Sequence, residues 1–155
     1  MKIHLKPVKG LENKYIQNLV DILNNDKKLI KKLGDDKKIL SCVMFIEYNR
    51  QWSKKNKAQI FAIIMNYNAI GLISLSRINK IKKTAKIGYW IASKYWNKGY
   101  TSDAFKQILS FAKDNNIKLV SCSIPKENIT SWVIWRKFNA NFEKKGKFII
   151  PQIYL

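Results

Sequence analysis

Residues 95–105 read YWNKGYTSDAF and carry the chain's most suggestive chemistry. Six glycines serve 155 residues, and one of them, Gly99, stands between Lys98 and Tyr100 just ahead of a helical pattern. Asn97 and Gly99 are two residue types that readily take positive φ. A loop built on them can turn successive N–H groups inward and present them together with a helix N-terminus, a ready anion site. The helix is expected to begin near Thr101, with Ser102 an equally good N-cap. The helix dipole contributes about 0.3–1 kcal/mol per negative group, and up to ~2 kcal/mol when the group is partly buried. Several donors around a diphosphate, with Lys98 alongside, make the total useful. The same spacing also suits an ordinary strand-to-helix turn with a glycine for geometry.

Other chemistries lack their residues. The chain holds neither G-x-G-x-x-G nor G-x-x-x-x-G-K-[ST], so neither a dinucleotide fold nor a Walker loop is indicated. One histidine, His4, and two distant cysteines, Cys42 and Cys122, argue against a metal site. His4 reads as an ordinary strand residue. The same cysteine usage fits a reducing cytoplasm rather than a disulfide scaffold.

The elements that must position the loop follow from periodicity. Lys2 to Lys6 alternate before Pro7 and predict a first strand. Tyr15, Ile16, Leu19, Val20, Ile22, Leu23, Leu29, Ile30 and Leu33 have helical spacing, broken at Asn24-Asn25 and closed by Gly34 with the two aspartates after it. A third helix fits CVMFIEYNRQWSKKNK. The period then shortens: QIFAIIMN and AIGLISLSRI predict a hairpin around YN, and AKIGYWIAS alternates as the next strand. After the loop, a helix buries Ala104, Phe105, Ile108, Leu109 and Ala112. IKLVSCSI predicts a strand, NITSWVIWRKF a short helix, and FEKKGKFIIPQIYL a strand pair turning at Gly146.

At 155 residues the chain suits one domain over 1–155, burying roughly 70% of its unfolded surface. The N-terminus lacks the apolar stretch of a secretory signal. The longest apolar run, Ile60 to Met65, is about a third of a membrane span. A soluble cytoplasmic protein with no membrane contact is expected. The net charge of +20 is the usual footprint of a nucleic-acid or ribosome binder. Yet the arginines are only Arg50, Arg77 and Arg136 among many lysines, asparagines and isoleucines, a bias that A+T-rich codons produce without selection for binding.

The stretches IGYWIASKYWNKGYTSDAFKQILSFA and CSIPKENITSWVIWRKFNA together resemble the GNAT superfamily of N-acetyltransferases, nearest the branch that acetylates ribosomal-protein N-termini. The likeness runs from about Ala69 to Phe142. It implies an α/β fold, a mixed and mostly antiparallel sheet of about 6–7 strands flanked by about four helices. It also implies acetyl-CoA as acetyl donor and an amine acceptor, with no metal. By the resemblance, the amides of Lys98, Gly99, Tyr100, Thr101 and Ser102, with Asn97 in the turn, hold the diphosphate. Ile91, Ala92 and Ser93 pair main chain to main chain with the pantetheine arm. Asn128 and Ser131 face that arm and its thiol, and Lys137 sits near the nucleotide end.

Several positions depart from the family pattern. Trp96 replaces a Gln or Arg. The glycine that usually follows the last helix is Asn139, which can still take a left-handed conformation. A frequent tyrosine acid is Trp135, whose indole cannot serve at neutral pH, so Ser131 becomes the candidate proton donor. A frequent glutamate base is Lys86, leaving Glu47, Glu127 and Glu143 as candidate bases, with Glu47 the one chosen. The reaction implied is direct attack of a neutral amine on the thioester, through an oxyanion that backbone N–H groups stabilise. An α-amine of pKa ~7.8 is neutral far more often at pH 7 than a lysine of pKa ~10.4, a gap worth ~3.5 kcal/mol. A chain with no evident base therefore favours a protein or peptide α-amine, or a small amine of low pKa. Two other readings stay open, a CoA-binding module without catalysis and a basic ribosome- or nucleic-acid-binding protein. Either a monomer or a homodimer is compatible.

Overall fold

The computed structural model describes residues 2–34 and 41–155. The two aspartates expected to reinforce the helix stop at Gly34 lie outside them. Strand β1 (Ile3–Pro7) leads into three helices, α1 (Asn13–Asn25), α2 (Lys27–Leu33) and α3 (Cys42–Lys55). Strands β2 (Gln59–Met65), β3 (Asn68–Asn79) and β4 (Thr84–Ile91) follow, then helix α4 (Tyr100–Asp114). The chain closes with β5 (Leu119–Ser121), β6 (Ile124–Pro125), α5 (Ile129–Lys137), β7 (Asn141–Lys145) and β8 (Phe148–Tyr154).

The eight strands of the described residues belong to one sheet, ordered β1-β2-β3-β4-β5-β8-β6, with β7 on the other flank of β8. The pairing is antiparallel except between β4 and β5. The α/β class and mostly antiparallel sheet agree with expectation. The counts differ slightly: the described residues form eight strands and five helices, where about 6–7 and about four are expected. The added strand comes from IKLVSCSI, which breaks at Cys122–Ser123 into β5 and β6.

Both faces of the central sheet are covered, so β2 and β3 read as nearly unbroken apolar runs rather than alternating ones. One face packs Ile63, Ile73, Leu75, Ile87 and Ile91 against Phe105, Ile108 and Trp135 of α4 and α5. The opposite face packs Ala62, Ile64 and Leu72 against Tyr15, Ile16, Leu19 and Phe45 of α1 and α3. The predicted helical face of α4 is buried at Ala104, Phe105, Ile108 and Ala112; Leu109 is half-buried. The β2–β3 hairpin turns at Asn66 and Tyr67, both at positive φ, one residue earlier than the Tyr67-Asn68 pair suggested. Gly34, Asn139 and Gly146 take the left-handed conformations their positions required.

One separation in this sheet matters for function. Strand β5 pairs with β4 only over Thr84–Lys86, while β4 runs on to Ile91 beside β3. Beyond Lys86 the ladder between the two parallel strands ends, and the gap between the end of β4 and α5 is the candidate cofactor cleft. Gly71 of β3 permits the close approach that fixes the far end of β4, since a β-carbon there would collide with the Trp90 carbonyl.

Candidate active site

The loop after β4 begins with a single turn of 3-10 helix, Ser93–Tyr95. Asn97 then takes φ 59° and Gly99 φ 84°. Gly99, not Thr101 or Ser102, is the N-cap of α4, and no side chain caps that end. The helix starts one residue before Thr101 because Gly99 supplies the left-handed turn without a Cβ clash. The first backbone bond of α4 runs from Asp103 N–H to the Gly99 carbonyl at 3.1 Å. The N–H groups of Tyr100, Thr101 and Ser102 therefore precede the intrahelical ladder as free donors. A β-carbon built on Gly99 would meet nothing within 4 Å, so no neighbouring atom crowds the turn itself. Lys137, at the end of α5, points its Nζ to within 3.5 Å of Ser102 Oγ and adds a cation beside them. These residues fit a diphosphate: directed N–H donors, a helix N-terminus and a nearby ammonium.

The end of β4 behaves differently from expectation. Trp96 folds back so that its indole N–H donates to the Ile91 carbonyl at 2.9 Å. Ala92 N–H donates to the Ile70 carbonyl at 2.8 Å, and the Ala92 carbonyl accepts from Tyr95 N–H at 2.9 Å. Ser93 is held from another element altogether. Its N–H donates to Asp26 Oδ2 at 2.6 Å and its hydroxyl donates to Asp26 Oδ1 at 2.7 Å. Burial opposes the charge on Asp26, but the bonds from Ser93 and from Leu29 N–H outweigh it and hold the carboxyl below its usual range. The segment Ile91–Ser93 thus lines the cleft with its polar groups already engaged.

Across the cleft, α5 opens at Asn128, whose Oδ1 accepts from Thr130 Oγ1 at 3.2 Å rather than capping the helix. Asn128 and Ser131 are both half-buried at this end. Trp135, at the tyrosine position of the family pattern, is fully buried with its ring 5.0 Å from Phe105. It packs the core, with its indole nitrogen buried as well. Tyr89 of β4 reaches over instead, donating its hydroxyl to the Ser131 carbonyl at 3.5 Å. Burial pushes this phenol up to about 12 and the neighbouring Cys122 thiol likewise to about 12. Both stay protonated at neutral pH. No local signal in the sequence marks Tyr89 for this contact, because it shares the alternating face of Ile87 and Ile91.

The candidate bases are not gathered here. Glu47 lies on α3, where Arg50 holds it at 2.7 Å and a further bond from Gln51 helps keep its carboxyl below the usual range. Glu127 and Glu143 are exposed, Glu127 just ahead of α5 and Glu143 on β7. Among the described residues no group of three or more His, Cys, Asp or Glu is placed to hold a metal ion. No helix among them is long and apolar enough to cross a membrane.

Known proteins share this fold. The structure of the ribosomal L7/L12 α-N-protein acetyltransferase RimL superposes with a TM-score of 0.79 at 15% identity, covering 100% of this chain and 91% of that one. The microcin C7 self-immunity acetyltransferase MccE, solved with acetyl-CoA and AMP, gives 0.79 at 23% identity, with 99% and 93% covered. Identities this low show the fold alone. In sequence, the ribosomal-protein-serine acetyltransferase of Escherichia coli K12 is 27% identical over 88 residues, 54% of this chain and 49% of that protein. The match thus spans about half the length of that relative. The model of the acetyltransferase (GNAT) domain matches residues 13–141, most of the chain, and the chain belongs to that family.

Proposed function

We propose that the chain is an acetyl-CoA-dependent N-acetyltransferase that acts on a primary amine in a ternary complex. The acceptor is a protein or peptide α-amine, or a small amine of low pKa. One observation carries this reading. Asn97 and Gly99, both at positive φ, turn the chain into α4 so that the N–H groups of Tyr100, Thr101 and Ser102 stand at a helix start with no side-chain cap. Membership of the acetyltransferase family and the likeness to RimL and to acetyl-CoA-bound MccE support it.

Acetyl-CoA supplies an acetyl group activated as a thioester. The α4 amides, with Lys98 and Lys137, would hold its diphosphate. Ile91, Ala92 and Ser93 on one wall, and Asn128 and Ser131 on the other, would guide the pantetheine arm. At the thiol end the Ser131 hydroxyl would donate to a departing sulfur, with the Tyr89 hydroxyl a second donor once it turns from the Ser131 carbonyl, since Trp135 is sealed in the core. A Tyr89 phenol lifted to about 12 stays protonated at any physiological pH and serves as a hydrogen-bond donor. Glu47, exposed and bound to Arg50, is poorly suited to take a proton from the amine. The acceptor must then arrive largely neutral, which selects amines of pKa nearer ~8 than ~10.

We read residues 1–155 as one domain working in a reducing cytoplasm, as monomer or homodimer. Two free thiols suit that compartment. A charge of +20 suits an acceptor carried by a ribosome or by an acidic protein. A thiol-release screen with acetyl-CoA against peptides of varied N-termini and a panel of small amines tests the proposal. CoA release that depends on an α-amine supports it. Binding of CoA without thiol release to any amine would leave a cofactor-binding module in its place.

A further inference from the structure

Helix α2 ties both walls of the cleft together. At its N-terminal end Asp26 accepts the Ser93 N–H and hydroxyl at 2.6 and 2.7 Å. At its C-terminal end Lys32 donates to Thr130 Oγ1 of α5 at 3.2 Å and stands 4.9 Å from the Trp96 ring centroid. Trp96 is the residue that occupies the Ile91 carbonyl. One short helix thus holds, directly or through one neighbour, both main-chain groups on the edge assigned to pantetheine. The two groups are not equivalent. A carbonyl oxygen has two lone pairs and can accept a second bond, whereas an amide has one hydrogen to give. The Ser93 N–H is therefore the group that cannot serve Asp26 and a bound ligand at once.

We infer that α2 is a latch on the cofactor cleft: Asp26 and Lys32 are positioning residues that keep the β4 edge capped, and CoA binds by displacing them. The inference rests on the cofactor reading above. It means that the free enzyme holds the Ser93 donor in reserve. Cofactor binding releases α2, so the acceptor meets a remodelled wall only after the donor is in place.

The sign of two substitutions tests this, read as CoA affinity of the full chain by calorimetry. Asp26→Ala removes the competing carboxylate and is expected to tighten CoA by roughly tenfold, the loss of one charge-assisted competitor. Charge repulsion alone would also favour that direction, so Lys32→Met is the sharper variant. Removing a cation from a site for an anionic ligand should weaken binding, and only release of α2 makes it tighter. Lys32 is exposed, so Lys32→Met decides the matter even if Asp26→Ala, which also loses its cap on Leu29, folds poorly. Tighter CoA binding by Lys32→Met upholds the latch. Unchanged binding makes α2 a passive element, and weaker binding makes Lys32 a ligand of the cofactor; either overturns it while leaving the cofactor site standing. If neither the wild type nor the variants bind CoA, the cofactor reading itself fails and the latch with it.

Discussion

Helices α2 and α3 begin in one way, α4 and α5 in another. Asp26 caps α2 by accepting from Leu29 N–H at 3.2 Å, and Ser41 caps α3 through Met44 N–H at the same distance. Helices α4 and α5 open toward the cleft with no side-chain cap, at Gly99 and Asn128. A helix whose start binds no anion gains by satisfying its first-turn donors internally, about 1 kcal/mol for a good cap. A helix that must bind an anion gains by leaving them for the ligand. Helix α1 also lacks a side-chain cap; its Glu12 is drawn instead to Lys6 at 2.8 Å. An uncapped end is therefore informative only where, as at Gly99, the turn ahead of it is also shaped by positive φ and left uncrowded.

The contrast breaks most readily at Gly99. Gly99→Glu puts a carboxylate among donors arranged for phosphate, at a φ that side chains resist. CoA affinity and thiol release should fall roughly hundredfold or more, as read by calorimetry and a thiol assay. Retained affinity would make the uncapped end of α4 an accident of the turn.

The next effect concerns what faces α5. Tyr89 and Cys122 are both lifted by burial to about 12, from 10.0 and 9.0. In the unfolded chain they ionise from about pH 9 upward, while the folded chain keeps both protons. Fewer protons on the unfolded state mean that stability falls as pH rises. The stability they contribute is complete below pH 9 and is lost between about 9 and 12, on the order of a few kcal/mol. Denaturant midpoints measured across that window should drop, and Tyr89→Phe with Cys122→Ala should flatten the drop. A flat wild-type curve would mean that the α5 side of the cleft is wetter than its packing indicates.

A third test moves the floor of the site. Gly71→Ala forces β3 away from the Trp90 carbonyl and should lower stability by about 1–3 kcal/mol, measured by urea unfolding. It should weaken CoA binding as well, since the displaced end of β4 carries the loop to Gly99. The smallest effect belongs to the capped class: Ser41→Ala should lose about 1 kcal/mol of stability and leave CoA affinity unchanged. A loss of CoA affinity there would erase the distinction between the two kinds of helix start.

Local signals in the chain account for the parts they govern. The change from helical to strand period at Gln59, the buried stripe of α4, the turn at Gly146 and the left-handed Asn139 all depend on a few neighbouring residues. The positive φ at Asn97 and Gly99 was legible for the same reason. What escaped depends on distant partners. Asp26 lies 67 residues before Ser93, and no local pattern joins an aspartate between two helices to the end of a strand. The break in IKLVSCSI at Cys122–Ser123 falls opposite Ile150 and Pro151 of β8, where a proline has no N–H to give the ladder, a property of the partner strand rather than of that stretch. Trp135 departs from the family pattern in sequence, but its burial beside Phe105 and the substitution of Tyr89 at the cleft needed the packed core.

The central claim is that the amides at the start of α4 hold the diphosphate of CoA. Backbone amide NMR during a CoA titration tests it most directly. The largest shifts should fall on Gly99, Tyr100, Thr101 and Ser102 at stoichiometric CoA, with Ser93 moving as Asp26 lets go. Shifts that spare these residues while CoA binds elsewhere, or no shifts at millimolar CoA, would contradict the account.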